Sequence, residues 1–173
     1  IHPFYDGNGR TGRIINVLYL VQKRLLNIPI LYLSRYIVQT KNEYYRLLQS
    51  VRDTNDWEAW ILYMLEGVEQ TSKQTIKMVH SIDATQKDYK NRISTQYKFY
   101  SQDLINNLFS HPYTKIEFIE KALKVSRLTA TKYLDILSED GFLKKGKIGR
   151  SNYYINIALY ELLTATDVKN AGK

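Results

Sequence analysis

Residues 2–13 read HPFYDGNGRTGR, and residues 14–26 behind them read IINVLYLVQKRLL. The first stretch places a histidine, a carboxylate, three glycines, an asparagine and two arginines within twelve residues. In the second, Ile14, Ile15, Leu18, Val21, Leu25 and Leu26 recur at helical spacing. A polar, glycine-rich loop therefore runs into a helix, predicted over residues 10–26. Such a junction is a natural anion site, because the first amides of a helix lack partners and the dipole there is positive. Gly7 and Gly9 let the backbone approach a phosphate where a side chain would collide. Asn8 adds a neutral donor. Arg10 and Arg13, three apart, share a helix face and can fork onto phosphate oxygens. Asp6, just before the glycines, is placed to hold a magnesium ion bridging phosphates. His2 titrates near neutrality and can take a proton from an attacking hydroxyl. Pro3 stiffens the loop, and Phe4 is expected to anchor it in the core. A glycine pair alone would do no more than shape a turn. That reading leaves the histidine, the carboxylate and both arginines unexplained.

Outward from this junction the chain continues as helices. NIPILYLS (27–34) is expected to break the first one, since Pro29 has no amide proton and restrains Ile28. Ser34 is the expected cap of a short second helix. KNEYYRLLQSVRD (41–53) reads as a third. From residue 54 a long helix carries an apolar stripe of Trp57, Trp60, Ile61, Met64, Leu65 and Val68, and no proline interrupts residues 54–111. The fold class is mainly α: a helical part over 1–78, a helical connector over 79–100, a second module over 101–165 and a frayed tail over 166–173.

The second module reads as three helices followed by strand, glycine-containing turn and strand, GFLKKGKIGRSNYYINI at 141–157, then a short helix, ALYELL at 158–163. This order is that of a winged helix-turn-helix. In its third helix Ala130, Leu134 and Leu137 would face the core, leaving Arg127, Thr129, Thr131 and Lys132 more exposed. Arg127 and Lys132 are candidate contacts for a DNA groove, with Lys144, Lys145, Lys147 and Arg150 on or beside the wing as candidate phosphate contacts. A packing module or a homodimer contact would account for the same residues. His80 and His111 stand without ligand partners and read as structural.

The chain has 173 residues, 44% hydrophobic and 24% charged, a globular balance. It contains no cysteine, which excludes disulfides and thiolate metal sites and agrees with a cytoplasmic location. No apolar run approaches a membrane span and no signal peptide is visible, so no membrane partner is expected. Net charge is +8, divided as +3 over residues 1–78 and +5 over 79–173, so no basic block marks a tail. Ile1 stands directly before the motif, and the chain is expected to be a piece of a longer protein.

HPFYDGNGRTGR resembles the signature of the Fic (filamentation induced by cAMP) domain, His-x-Phe-x-(Asp/Glu)-Gly-Asn-Gly-Arg-x-x-Arg, with every specified position filled. The resemblance implies transfer of AMP from ATP to a Ser, Thr or Tyr hydroxyl of a target protein, with release of pyrophosphate. It implies His2 as general base and Asp6 as ligand of Mg2+. Gly7, Asn8 and Gly9 would bind the α- and β-phosphates, and Thr11 and Gly12 would belong to the same phosphate-binding stretch. Arg10 would contact the β-phosphate and Arg13 the γ-phosphate. LYLSRYI (31–37) and YYRLL (44–48) also look like family members with a C-terminal extension. Tyr45 is similar to a tyrosine that contacts the nucleotide there, whereas Tyr44 reads as helix packing. The resemblance covers roughly residues 1–78, the C-terminal part of an all-helical domain. The family's helices before the motif carry the flap that aligns the target and, in many members, an inhibitory glutamate that pairs with the arginine matched by Arg13. A fragment without them is expected to be inactive alone. Two other readings stand beside AMP transfer: a DNA-binding regulator whose Fic site senses nucleotide, and a Fic enzyme that transfers another group or removes AMP.

Overall fold

The computed structural model describes residues 3–149 and 151–168. It is mainly helical and divides into two compact units, Ile1–Lys77 and Met78–Lys173. In the first unit Gly7 takes the left-handed conformation (φ 84°) and caps helix α1, Asn8–Gln22. The helix starts two residues earlier than its apolar spacing predicts because Gly7 makes that turn without strain. It also ends earlier, at Gln22, and Pro29 is not the cause. Arg24 is left-handed (φ 58°) and donates its amide to the Val21 carbonyl, while Lys23 and Leu25 close onto Tyr19 and Leu20. The last carbonyls are thus satisfied by a left-handed reversal. Helices α2 (Leu33–Gln39) and α3 (Lys41–Thr54) follow, the latter closed by left-handed Asn55. Asp56 accepts the Glu58 amide at 3.1 Å where α4, Glu58–Gln96, begins. This 39-residue helix continues into the second unit.

The core of the first unit is small: Leu31, Leu33, Ile37, Leu47 and Tyr63 are its buried apolar residues. Helix α1 buries none of its residues, and Phe4 is 55% exposed, which corrects its expected role as a core anchor. The buried line of α4 departs in part from the expected stripe. Trp60, Met64 and Val68 are half-buried and Trp57, Ile61 and Leu65 are exposed, whereas Tyr63, Gly67 and Thr71, spaced four apart, are buried. Tyr63 joins Tyr36, Tyr44 and Trp60 in an aromatic cluster with ring centroids 5.2–6.3 Å apart. Gly67 admits the Tyr36 ring: a Cβ there would stand 2.7 Å from Tyr36 Cδ1. An alanine in a helix is normally favoured over glycine by about 1 kcal/mol. Here overpacking, at about 1–3 kcal/mol, should win. Gly67→Ala is expected to lower the urea midpoint of the chain, and an unchanged or raised midpoint would show that the ring gives way freely.

In the second unit Ser101 caps α5 (Gln102–Ser110) by accepting the Leu104 amide at 3.1 Å, and Ser126 caps α7 (Arg127–Glu139) by accepting that of Thr129 at 3.2 Å. Between them lie β1 (Tyr113–Thr114) and α6 (Ile116–Leu123). β2 (Leu143–Ile148) and β3 (Ser151–Asn156) then form an antiparallel hairpin, and α8 runs over Ile157–Val168, beyond the expected ALYELL. The remainder of the expected tail, residues 169–173, lies outside the described residues. β1 is an addition to the expected pattern. Tyr113 pairs with Ile155 and Thr114 with Tyr154, giving the sheet order β1-β3-β2. Ala130, Leu134 and Leu137 are fully buried, as their spacing predicts. They pack with Tyr89 and Ile93 from α4, Leu104, Ile105 and Leu108 from α5, Ile119 from α6, and Phe142, Leu143 and Tyr154. Asn156 is buried at the end of β3, where its side chain donates to the Leu108 carbonyl and accepts the Leu159 amide, both at 3.1 Å.

Candidate functional site

The loop before α1 is held by its own side chains. Asn8 accepts the Phe4 amide at 3.0 Å through Oδ1 and donates to the Phe4 carbonyl at 2.7 Å through Nδ2. Its amide therefore closes the loop into a ring of backbone and side chain, and the second N–H of Nδ2 is what it can still offer a ligand. The Thr11 amide and hydroxyl both donate to the Gly7 carbonyl, at 2.9 and 3.1 Å. This is the first helical hydrogen bond, so the amides of Asn8, Gly9 and Arg10 precede the ladder at the positive end of the dipole. No acidic residue stands in that first turn to compensate it.

The two arginines lie against the bare α-carbons of the glycines. Arg10 Nη2 comes within 3.5 Å of the place a Cβ of Gly7 would occupy, and Arg13 Nη1 within 3.5 Å of that of Gly9. Gly12 faces open space. Asp6 is exposed, accepts the Gly7 amide at 2.6 Å through Oδ1, and pairs with Arg10 at 3.0 Å through Oδ2. An ion pair this exposed contributes little to stability, so Arg10 is readily released to another anion. Arg13 is partly buried, and its Nε donates to Ser34 Oγ at 2.9 Å. Ser34 does not cap α2: it lies inside the first turn, and the cap is Tyr32. Nothing local in the sequence marks this contact, since a serine at that position favours a helix terminus.

Arg10, Arg13 and Ser34 form the polar edge of a cavity of about 560 Å³ whose remaining wall is apolar, with Ile14, Leu18, Leu31 and Val38 among its lining. That volume is in the range of small-molecule sites. His2 lies outside the described residues. Tyr45 is 58% exposed and edge-on to Tyr44, which packs against Trp60 and Tyr63.

The basic residues of the second unit are less uniform than their sequence suggests. Lys132, Lys144 and Lys147 are exposed. Arg127 pairs with Glu120 at 3.6 Å. Lys145 pairs with Asp135 at 2.7 Å, and the same carboxylate oxygen accepts the Tyr154 hydroxyl at 2.7 Å. Burial acts to raise the Asp135 carboxyl, but the hydrogen bonds from Lys145 and Tyr154 outweigh it and hold it below its ordinary value. Arg150 lies outside the described residues. Among the described residues no helix is long and apolar enough to cross a membrane.

Two family models match the chain, in this order. Residues 1–20 match the Fic/DOC family. Residues 82–159 match the C-terminal domain of the protein adenylyltransferase SoFic-like family, a span that runs from within α4 through the hairpin to the start of α8. The Fic/DOC match at the motif and the SoFic-like C-terminal-domain match behind it together support a Fic-domain protein.

Proposed function

We propose that the protein transfers AMP from ATP to a Ser, Thr or Tyr hydroxyl of a target protein, releasing pyrophosphate. The observation that carries this reading is the junction at Gly7, where the leading amides of α1 open the helix and two guanidinium groups lie against the bare α-carbons of Gly7 and Gly9. That arrangement suits a polyphosphate, which needs several donors at once. The SoFic-like match supports adenylyl transfer as the chemistry. His2 would take the proton of the attacking hydroxyl as it bonds to the α-phosphorus, while Arg10 and Arg13 would bind the β- and γ-phosphates that leave. The contribution of these residues is orientation and charge stabilisation.

Asp6 fits the role of magnesium ligand. Magnesium bound with substrate phosphates needs only one or two carboxylates. Both Asp6 oxygens keep lone pairs beyond their bonds to Gly7 and Arg10. The ion would neutralise phosphate charge and link the phosphates to the loop. DNA is not part of the proposal: Lys145, one of the six candidate contacts, is tied to Asp135 at 2.7 Å.

The test is calorimetry on the full-length chain with ATP and with AMP. Arg13→Ala should weaken ATP by roughly tenfold, the equivalent of one charge-assisted hydrogen bond, and leave AMP nearly unchanged. Equal losses for the two nucleotides would reject the assignment of Arg13 to the γ-phosphate.

A further inference from the structure

The two arginines of the motif are restrained in different ways. Arg10 is held by a carboxylate of its own loop, and the pair is exposed on both sides. Arg13 is held through Nε by a neutral hydroxyl from another element, Ser34 of α2, at 2.9 Å and partly buried. Helix α2 is itself fixed, since Leu33 and Ile37, the residue before Ser34 and the one three beyond it, are buried. A bond at Nε sets the plane of the guanidinium and leaves both terminal nitrogens available, the geometry that grips a phosphate bidentately. One of them, Nη1, already lies beside the bare α-carbon of Gly9. A neutral acceptor also leaves the guanidinium charge uncompensated, whereas a carboxylate at the same point would cancel it.

We propose that Ser34 is the positioning residue that presents Arg13 to the terminal phosphate of a nucleoside triphosphate. This rests on the reading that Arg13 meets the γ-phosphate. Ser34 does not touch the reacting atoms: it orients Arg13 and, being neutral, does not offset its charge.

The experiment measures ATP and AMP affinity of the full-length chain by calorimetry. Ser34→Ala should weaken ATP about fivefold, one ordinary hydrogen bond, with AMP unchanged within about twofold. Ser34→Thr retains the hydroxyl and should restore ATP affinity. Ser34→Asp retains an acceptor but adds a negative charge, and should bind ATP more weakly than Ser34→Ala. In the Arg13→Ala background, Ser34→Ala should cause no further loss. Equal weakening of ATP and AMP by Ser34→Ala, or wild-type ATP affinity in Ser34→Asp, would overturn the proposal, since a purely structural bond predicts either result. If Arg13→Ala itself fails to separate ATP from AMP, the γ-phosphate reading falls first, a result distinct from a failure of Ser34 alone.

Discussion

His2→Ala in the full-length protein is expected to reduce AMP transfer by about 10²–10⁴-fold, the usual contribution of a positioned general base. ATP affinity should stay within about twofold of wild type, because in the proposed function the helix start and the arginines, and not the base, would bind the phosphates. The hydroxyl of a protein side chain is a weak nucleophile near neutrality, so loss of the base falls on the chemical step. Label transfer from α-labelled ATP measures the step, and calorimetry with ATP measures binding. Undiminished labelling would remove His2 from the mechanism. A matching loss of ATP affinity would show that the histidine shapes the loop. The Arg13 and Ser34 variants should behave in the opposite sense, losing ATP affinity first. Taken together, the three substitutions separate the base from the phosphate grip.

The site was legible in the sequence wherever the chemistry was local. Gly7, the helix start behind it and the proximity of Arg10 and Arg13 to the glycines all follow from residues within a few positions of each other. What the sequence did not disclose were contacts across distance. The tie from Arg13 to Ser34 joins residues 21 apart, and Ser34 was read as a cap because serine favours that position. The same applies to the fold. Ala130, Leu134 and Leu137 announce their burial by period alone. The inner face of α4 does not, because Tyr63, Gly67 and Thr71 are less apolar than the exposed Ile61 and Leu65 on the same helix. Shape decides there: a glycine is what the Tyr36 ring needs. Strand β1 was missed because two residues carry no alternation, and its existence depends on pairing with β3. Arg24 in place of a glycine at the end of α1 hid that helix boundary in the same way, since only the backbone reversal reveals it.

Asn156→Ala should cost more stability than Gly67→Ala. Asn156 is 1% exposed and joins three elements at one point. Its Nδ2 donates to the Leu108 carbonyl near the end of α5, its Oδ1 accepts the Leu159 amide in the first turn of α8, and its own amide donates to the Pro112 carbonyl at 3.0 Å. Alanine keeps the last of these and removes the other two. An orphaned buried carbonyl or amide costs about 1–3 kcal/mol. Because the Leu159 amide belongs to a helix start and has no earlier carbonyl to turn to, the loss should reach about 2–4 kcal/mol. Exposed pairs such as Lys87 with Asp83 should contribute below about 1 kcal/mol by comparison. Urea unfolding of the full chain reads the loss, and hydrogen exchange at the Leu159 amide reads its place. The amide should exchange faster in Asn156→Ala than in wild type, relative to amides in the middle of α7. A loss below about 0.5 kcal/mol, the range of an ordinary surface substitution, would mean that water or a backbone shift satisfies both groups, and that the junction of α5, β3 and α8 does not depend on this side chain.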